Sequence, residues 1–162
     1  MKQRHMKSFD LIEKLYSRHT NYFALGVFAL LIVLFYGNTL FNGFVLDDRL
    51  LIEQNRPLHH VWNFLLYQIS PEPWIFHLGN LFAFLGTVFL VFLFVKILTR
   101  HLSLAWACAL LFLVNPRNTE VINWNSAISE LFLVFFVLLS LLLYLRWRET
   151  KSLRNFLLVL LS

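Results

Sequence analysis

No lysine, arginine, aspartate or glutamate occurs between Arg18 and Asp47. Few folds accommodate so long an uncharged, apolar stretch, and about 20 such residues wound into a helix cross the roughly 30 Å hydrocarbon core of a bilayer. The segment 22–40 is therefore read as a transmembrane span. A second uncharged stretch, Pro73 to Val95, predicts another over 74–98. Composition agrees: 59% of the chain is hydrophobic and 14% charged, where a soluble domain carries about a quarter charged residues. The net charge of +5 does not mark a nucleic-acid binder, because the basic residues sit between apolar runs and form no polar face.

Residues 1–20 form a basic leader with Lys2, Arg4 and Lys7. The apolar run begins too late and runs too long for a secretory signal, and no small-residue cleavage site follows it, so the leader is read as a cytoplasmic N-terminus before an uncleaved span. The lone Cys108 has no intrachain partner for a disulfide. A third run, about 102–115, stops at Asn115-Pro116 before it can complete a crossing. A fourth, about 119–147, reaches spanning length when its helix starts near Asn118 or Thr119 as N-cap. The polar link between these two then lies below the membrane surface, where irregular backbone and charges persist only along a protein cavity or trapped water. A fifth run, 155–162, is cut by the end of the chain. The expected fold is all-α, a polytopic transmembrane helical bundle of four spans plus a truncated fifth, occupying residues 21–162.

Basic residues give the orientation, since cytoplasmic loops keep an excess of Lys and Arg. Eleven of the 14 flank one set of span ends: Lys2, Arg4, Lys7, Lys14, Arg18, Lys96, Arg100, Arg146, Arg148, Lys151 and Arg154. The other side holds Arg49, Arg56 and Arg117 with six of the nine acids. The N-terminus is expected in the cytoplasm, and a bacterial inner membrane fits the short basic leader better than the endoplasmic reticulum.

The outer side carries the residues capable of chemistry. Asn42-Gly43-Phe44-Val45-Leu46-Asp47-Asp48-Arg49 follows the first span directly. Two adjacent carboxylates at a membrane boundary repel each other, and one that is not compensated becomes a general base. Arg49 and Arg56 are candidates for a bidentate grip on a phosphate. Further on, Glu120, Asn123, Ala127 and Glu130 recur at offsets that place both acids on one stripe of a continuous helix, either a cavity wall or an interfacial face, with Trp124 at headgroup level. His59, His60 and His77 share this side, which leaves a divalent metal open, but their spacing matches no standard ligand motif and no cofactor is expected.

In this order, the motifs resemble the N-terminal part of a C-type membrane glycosyltransferase, closest to the O-mannosyltransferase family that joins transmembrane spans to tetratricopeptide repeats, and to its bacterial relatives. The likeness covers 38–148. It rests on Asn38 to Arg49 with the acidic pair, on Arg56-Pro57-Leu58, on Phe76-His77-Leu78-Gly79-Asn80, and on Asn115-Pro116 with Thr119-Glu120. It implies protein glycosylation: a sugar moves from a polyprenyl-phosphate carrier to a hydroxyl of an acceptor protein or glycan on the non-cytoplasmic side. It assigns Asp47 or Asp48 as base, Arg49 or Arg56 to the phosphate, and His77, Asn80, Glu120 and Glu130 to the cavity or acceptor site. The chain departs from the family in a shorter first external loop, in Asn115 where histidine is common, and in Ile128 where a basic residue is usual. The family also uses about twice as many spans, so the remaining ones are expected from a longer chain or a partner subunit. The alternative reading is a non-catalytic membrane scaffold or degenerate paralogue.

Overall fold

The computed structural model describes residues 18–45, 48 and 61–150. Asp47, Arg49, Arg56, His59, His60, most of the basic leader and the fifth apolar run lie outside them. All regular structure among the described residues is helical: α1 (Arg18–Tyr36), a 3-10 turn (Gly37–Phe41), α2 (Val61–Ile69), α3 (Pro73–Thr99), α4 (Leu102–Leu113), α5 (Arg117–Asn123), a second 3-10 turn (Asn125–Ala127) and α6 (Ile128–Thr150). Three helical stretches, His19–Phe41, Pro73–Thr99 and Asn125–Arg148, are long and apolar enough to cross a membrane. By that measure the chain is a multi-pass membrane protein.

The bundle is built around α3, which packs against every other helix. Its sequence explains why. Phe76, Asn80, Phe84, Val88, Phe92 and Lys96 recur every fourth residue, and all six are buried. Such a row is one of the ridges by which helices interlock. α1 answers with Ala24, Phe28, Ile32 and Tyr36, and α4 with Ala105, Ala109 and Leu113, again at every fourth position and again buried. Small residues at the middle of α4 let its backbone come close to its neighbours, which in lipid is the main source of helix–helix attraction. Around Trp106 the rings of Phe28 and Phe92 lie 5.0 and 5.4 Å away, centroid to centroid. α6 is the outlier. Only 17% of its most apolar window is buried, against 44% for α3.

α4 has 12 residues, about 18 Å at 1.5 Å per residue, so it ends well short of a crossing, as the interruption at Asn115-Pro116 predicts. A helix that stops inside the membrane exposes carbonyls that no water can satisfy. Here Tyr36 Oη donates to the carbonyl of Leu113 at 2.7 Å, and Asn118 Nδ2 donates to that of Phe112. Tyr36→Phe removes one of these caps and is expected to cost about 1–3 kcal/mol, read from reversible unfolding of the purified protein in mixed detergent micelles. No loss of stability would mean that water already reaches the end of α4.

Two expectations need correction. A continuous helix over 119–147 is not formed: α5 ends at Asn123, Trp124 takes an extended conformation, and a 3-10 turn precedes α6. Glu120 and Glu130 therefore belong to different helices and share no single stripe. Lys96, counted above among the loop charges, lies in the last turn of α3. It is buried, donating from Nζ to Asn21 Oδ1 at 2.8 Å and standing 5.6 Å from the centre of the Phe92 ring. The short α2 went unforeseen, since its nine residues are too few for a span and precede Ser70-Pro71. Gly79 lets it dock, because a Cβ there would come within 2.6 Å of Leu66 and 3.2 Å of Trp62.

Candidate functional site

The site is assembled where the segment after α1 meets the break between α5 and α6. α1 gives way to its 3-10 turn at Gly37, and Asn42 then donates from Nδ2 to Asn123 Oδ1 at 2.8 Å. Phe44 lies edge-on to Phe76, 5.5 Å between centroids, which pins the segment to the start of α3. A turn closes through the Asp48 N–H to the Val45 carbonyl at 3.1 Å.

Asp48 is fully buried. Its Oδ1 accepts from the Ser126 N–H at 2.9 Å and the Ser126 hydroxyl at 2.8 Å. Its Oδ2 accepts from the Asn125 N–H and from Asn125 Nδ2, each at 3.2 Å, and from the Val45 N–H at 3.3 Å. The physical reason is local to the break. Where the chain restarts as a helix at Asn125, the first N–H groups have no acceptor one turn back. A carboxylate satisfies them, and its charge complements the positive end of the helix. An ionised carboxylate has about four lone-pair positions, and five donors point at this one. Asp48 thus acts as a tertiary cap on the 3-10 turn leading into α6.

Asn125 is the hub of the network. Its side-chain oxygen accepts from Asn80 Nδ2 at 2.8 Å, and its carbonyl accepts from Asn63 Nδ2 at 3.3 Å. Asn80 Nδ2 also lies 3.4 Å from the carbonyl of Ile122. The segment after α1, α2, α3 and the α5–α6 break are thereby tied through one buried residue. Neither Asn125, Ser126 nor Asn63 was anticipated. The readable signal was an Asn-Ser pair directly after Trp124, a sequence suited to ending one helix and starting another.

Of the anticipated residues, Asp48 and Asn80 come together here. His77, one turn before Asn80 on α3, is wholly buried, and neither ring nitrogen has a hydrogen-bond partner. The side-chain oxygens of Asn80 and Asn63 are likewise buried without donors. Glu130, in the first turn of α6, is exposed and lines a cavity of about 220 Å³ together with Asn115, Arg117 and Asn118. Glu120 is exposed on α5 and is not part of that lining. Among the described residues no group of three or more His, Cys, Asp or Glu side chains could hold a metal ion. No protein-family model matches the chain, and no curated protein or solved structure matches it either.

Proposed function

We propose that the chain is the N-terminal portion of a membrane glycosyltransferase that moves a sugar from a polyprenyl-phosphate donor to an acceptor hydroxyl. In this reading the N-terminus is cytoplasmic and the loop bearing Asp47 lies on the non-cytoplasmic side. The four spans are α1, α3, α4 continued by α5, and α6, with a fifth beginning near residue 155 and the remaining spans supplied by a longer chain or a partner subunit.

The observation that carries the reading is the Asp48 network. A buried carboxylate tied to the start of α6 fixes the backbone next to Asp47, and such preorganisation is what a catalytic group on a loop requires. Asp47 is the base and Asp48 the positioning residue. The Asp47 carboxylate takes the proton of the acceptor hydroxyl while that oxygen attacks the anomeric carbon. The bond from this carbon to the phosphate oxygen breaks, and its electron pair leaves on the polyprenyl phosphate, whose charge Arg49 or Arg56 balances.

The test is sugar transfer from polyprenyl-phosphate mannose by the complete gene product in proteoliposomes. Asp47→Asn is expected to lower transfer by about 10²–10⁴-fold, the usual contribution of a general base, with membrane insertion and stability unchanged. Full transfer by that variant, or none by the natural protein, overturns the reading in favour of a non-catalytic scaffold.

A further inference from the structure

Trp62 of α2 meets Phe132 of α6 edge-on, with 5.3 Å between ring centroids. Around that contact the two helices leave an apolar cleft of about 460 Å³, walled by Val61, Trp62 and Leu65 on one side and by Ile128, Phe132 and Phe136 on the other. Val61, Leu65 and Phe136 are exposed along it. The volume falls within the roughly 300–1,000 Å³ of clefts that take a ligand-sized group, so several aliphatic side chains can enter.

The segment 49–60, which lies outside the described residues, has both of its ends held at this cleft. It leaves from Asp48, whose carboxylate is bound by the N–H groups of Asn125 and Ser126 just before Ile128 in the cleft wall. It returns into Val61, which belongs to the opposite wall. The apolar triplet Leu50-Leu51-Ile52 follows the anchor directly and is bracketed by Arg49 and Glu53. An extended chain covers about 3.3–3.6 Å per residue, so Leu51 can stand about 10 Å from Asp48, and the stretch from Ile52 to Val61 can span about 30 Å. The triplet therefore reaches the cleft with chain to spare for the return.

We propose that Leu50-Leu51-Ile52 docks in the cleft between α2 and α6. Being tethered at both ends, the triplet binds as an intramolecular ligand, with the effective concentration that a short linker confers. An acyl chain or detergent tail in the same place would have to be ordered from the surroundings, a cost that the tether has already met in part. Arg49 and Glu53 keep their charges at the open rim while the aliphatic side chains between them enter. Docked in this way, the triplet splints α2 to α6 and holds Arg49 beside the Asp48 cap. A brace of this kind would serve a transferase or a scaffold equally, so sugar transfer is no part of its test.

The experiment is disulfide cross-linking of the full chain in proteoliposomes, in a Cys108→Ala background that removes the natural cysteine. Leu51→Cys is paired with Leu65→Cys or Ser129→Cys, both exposed positions at the cleft. The control pairs it with Phe82→Cys, exposed on α3 in the separate groove beside α1. The cleft pairs should close about tenfold faster than the control or better, the advantage of a held over a wandering segment. Equal rates, or no disulfide at the cleft, overturn the docking. Closure in micelles but not in bilayers assigns the cleft to acyl chains and overturns it as well. A readout without cysteines is tryptic cleavage after Arg49, which Leu51→Ser should speed at least threefold; an unchanged rate overturns the proposal. An unaltered elution profile shows that the variants fold.

Discussion

Asp48→Ala is expected to destabilise the protein by about 3–5 kcal/mol, because it strands several buried donors at once and each orphaned group costs about 1–3 kcal/mol. The N–H groups of Asn125 and Ser126 lose their acceptor, as do Asn125 Nδ2 and the Ser126 hydroxyl. Asn125 then has less reason to face Asn80 and Asn63, so the loss spreads through the hub. Asp48→Asn keeps one acceptor oxygen but brings an NH2 group against donors, and should retain less than half of the stabilisation. The measurement is reversible unfolding in mixed micelles, with protease access to the segment after α1 as a second readout. The comparison with Asp47→Asn is decisive for the division of labour: one neighbour should alter stability and the other transfer. If Asp48→Ala left stability unchanged, the carboxylate would not be capping α6.

The second large effect concerns Lys96. A buried ammonium is tolerated when its hydrogen bonds are made, and removing a partner costs more than removing the charge itself. Asn21→Leu should therefore cost about 1.5–3 kcal/mol, the range for a hydrogen bond to a charged group, because among the described residues Nζ is left with the Phe92 ring alone. Lys96→Met should be neutral or stabilising. The double variant Asn21→Leu, Lys96→Met should return to within about 1 kcal/mol of the natural protein, a coupling that only neighbouring residues show. Additive losses would mean that Lys96 reaches water past α1.

What the sequence discloses and what it hides follow from the range of the forces involved. The uncharged runs define α1 and α3 because length and hydropathy are local, and Asn115-Pro116 ends α4 for the same reason. The start of α6 was set too early. Asn118 and Thr119 look like N-caps, yet Asn118 spends its amide on the end of α4, and the cap of the later helix comes from Asp48, more than 70 positions away. Nothing near Asn125 in the chain announces a carboxylate from so far off. Lys96 misleads similarly. A lysine at the end of an apolar run reads as a loop charge, and only the approach of α1 turns it inward. In the candidate site, the meeting of Asp48 and Asn80 through Asn125 depended on that same distant cap, while His77 gave no warning that it would be buried without a partner.

The uneven burial of α6 has a consequence in lipid. Past Leu131 no residue of that helix through Arg148 is buried; the helix lies along α3, with Phe135 set against Gly86, and turns Leu133, Val134, Phe136, Val137, Leu141 and Tyr144 outward. From Leu131 to Thr150 this half-covered length is about 28 Å, close to the thickness of a hydrocarbon core. Nearly the whole depth of a membrane is thereby offered one apolar flank, which acyl chains or another helix must coat.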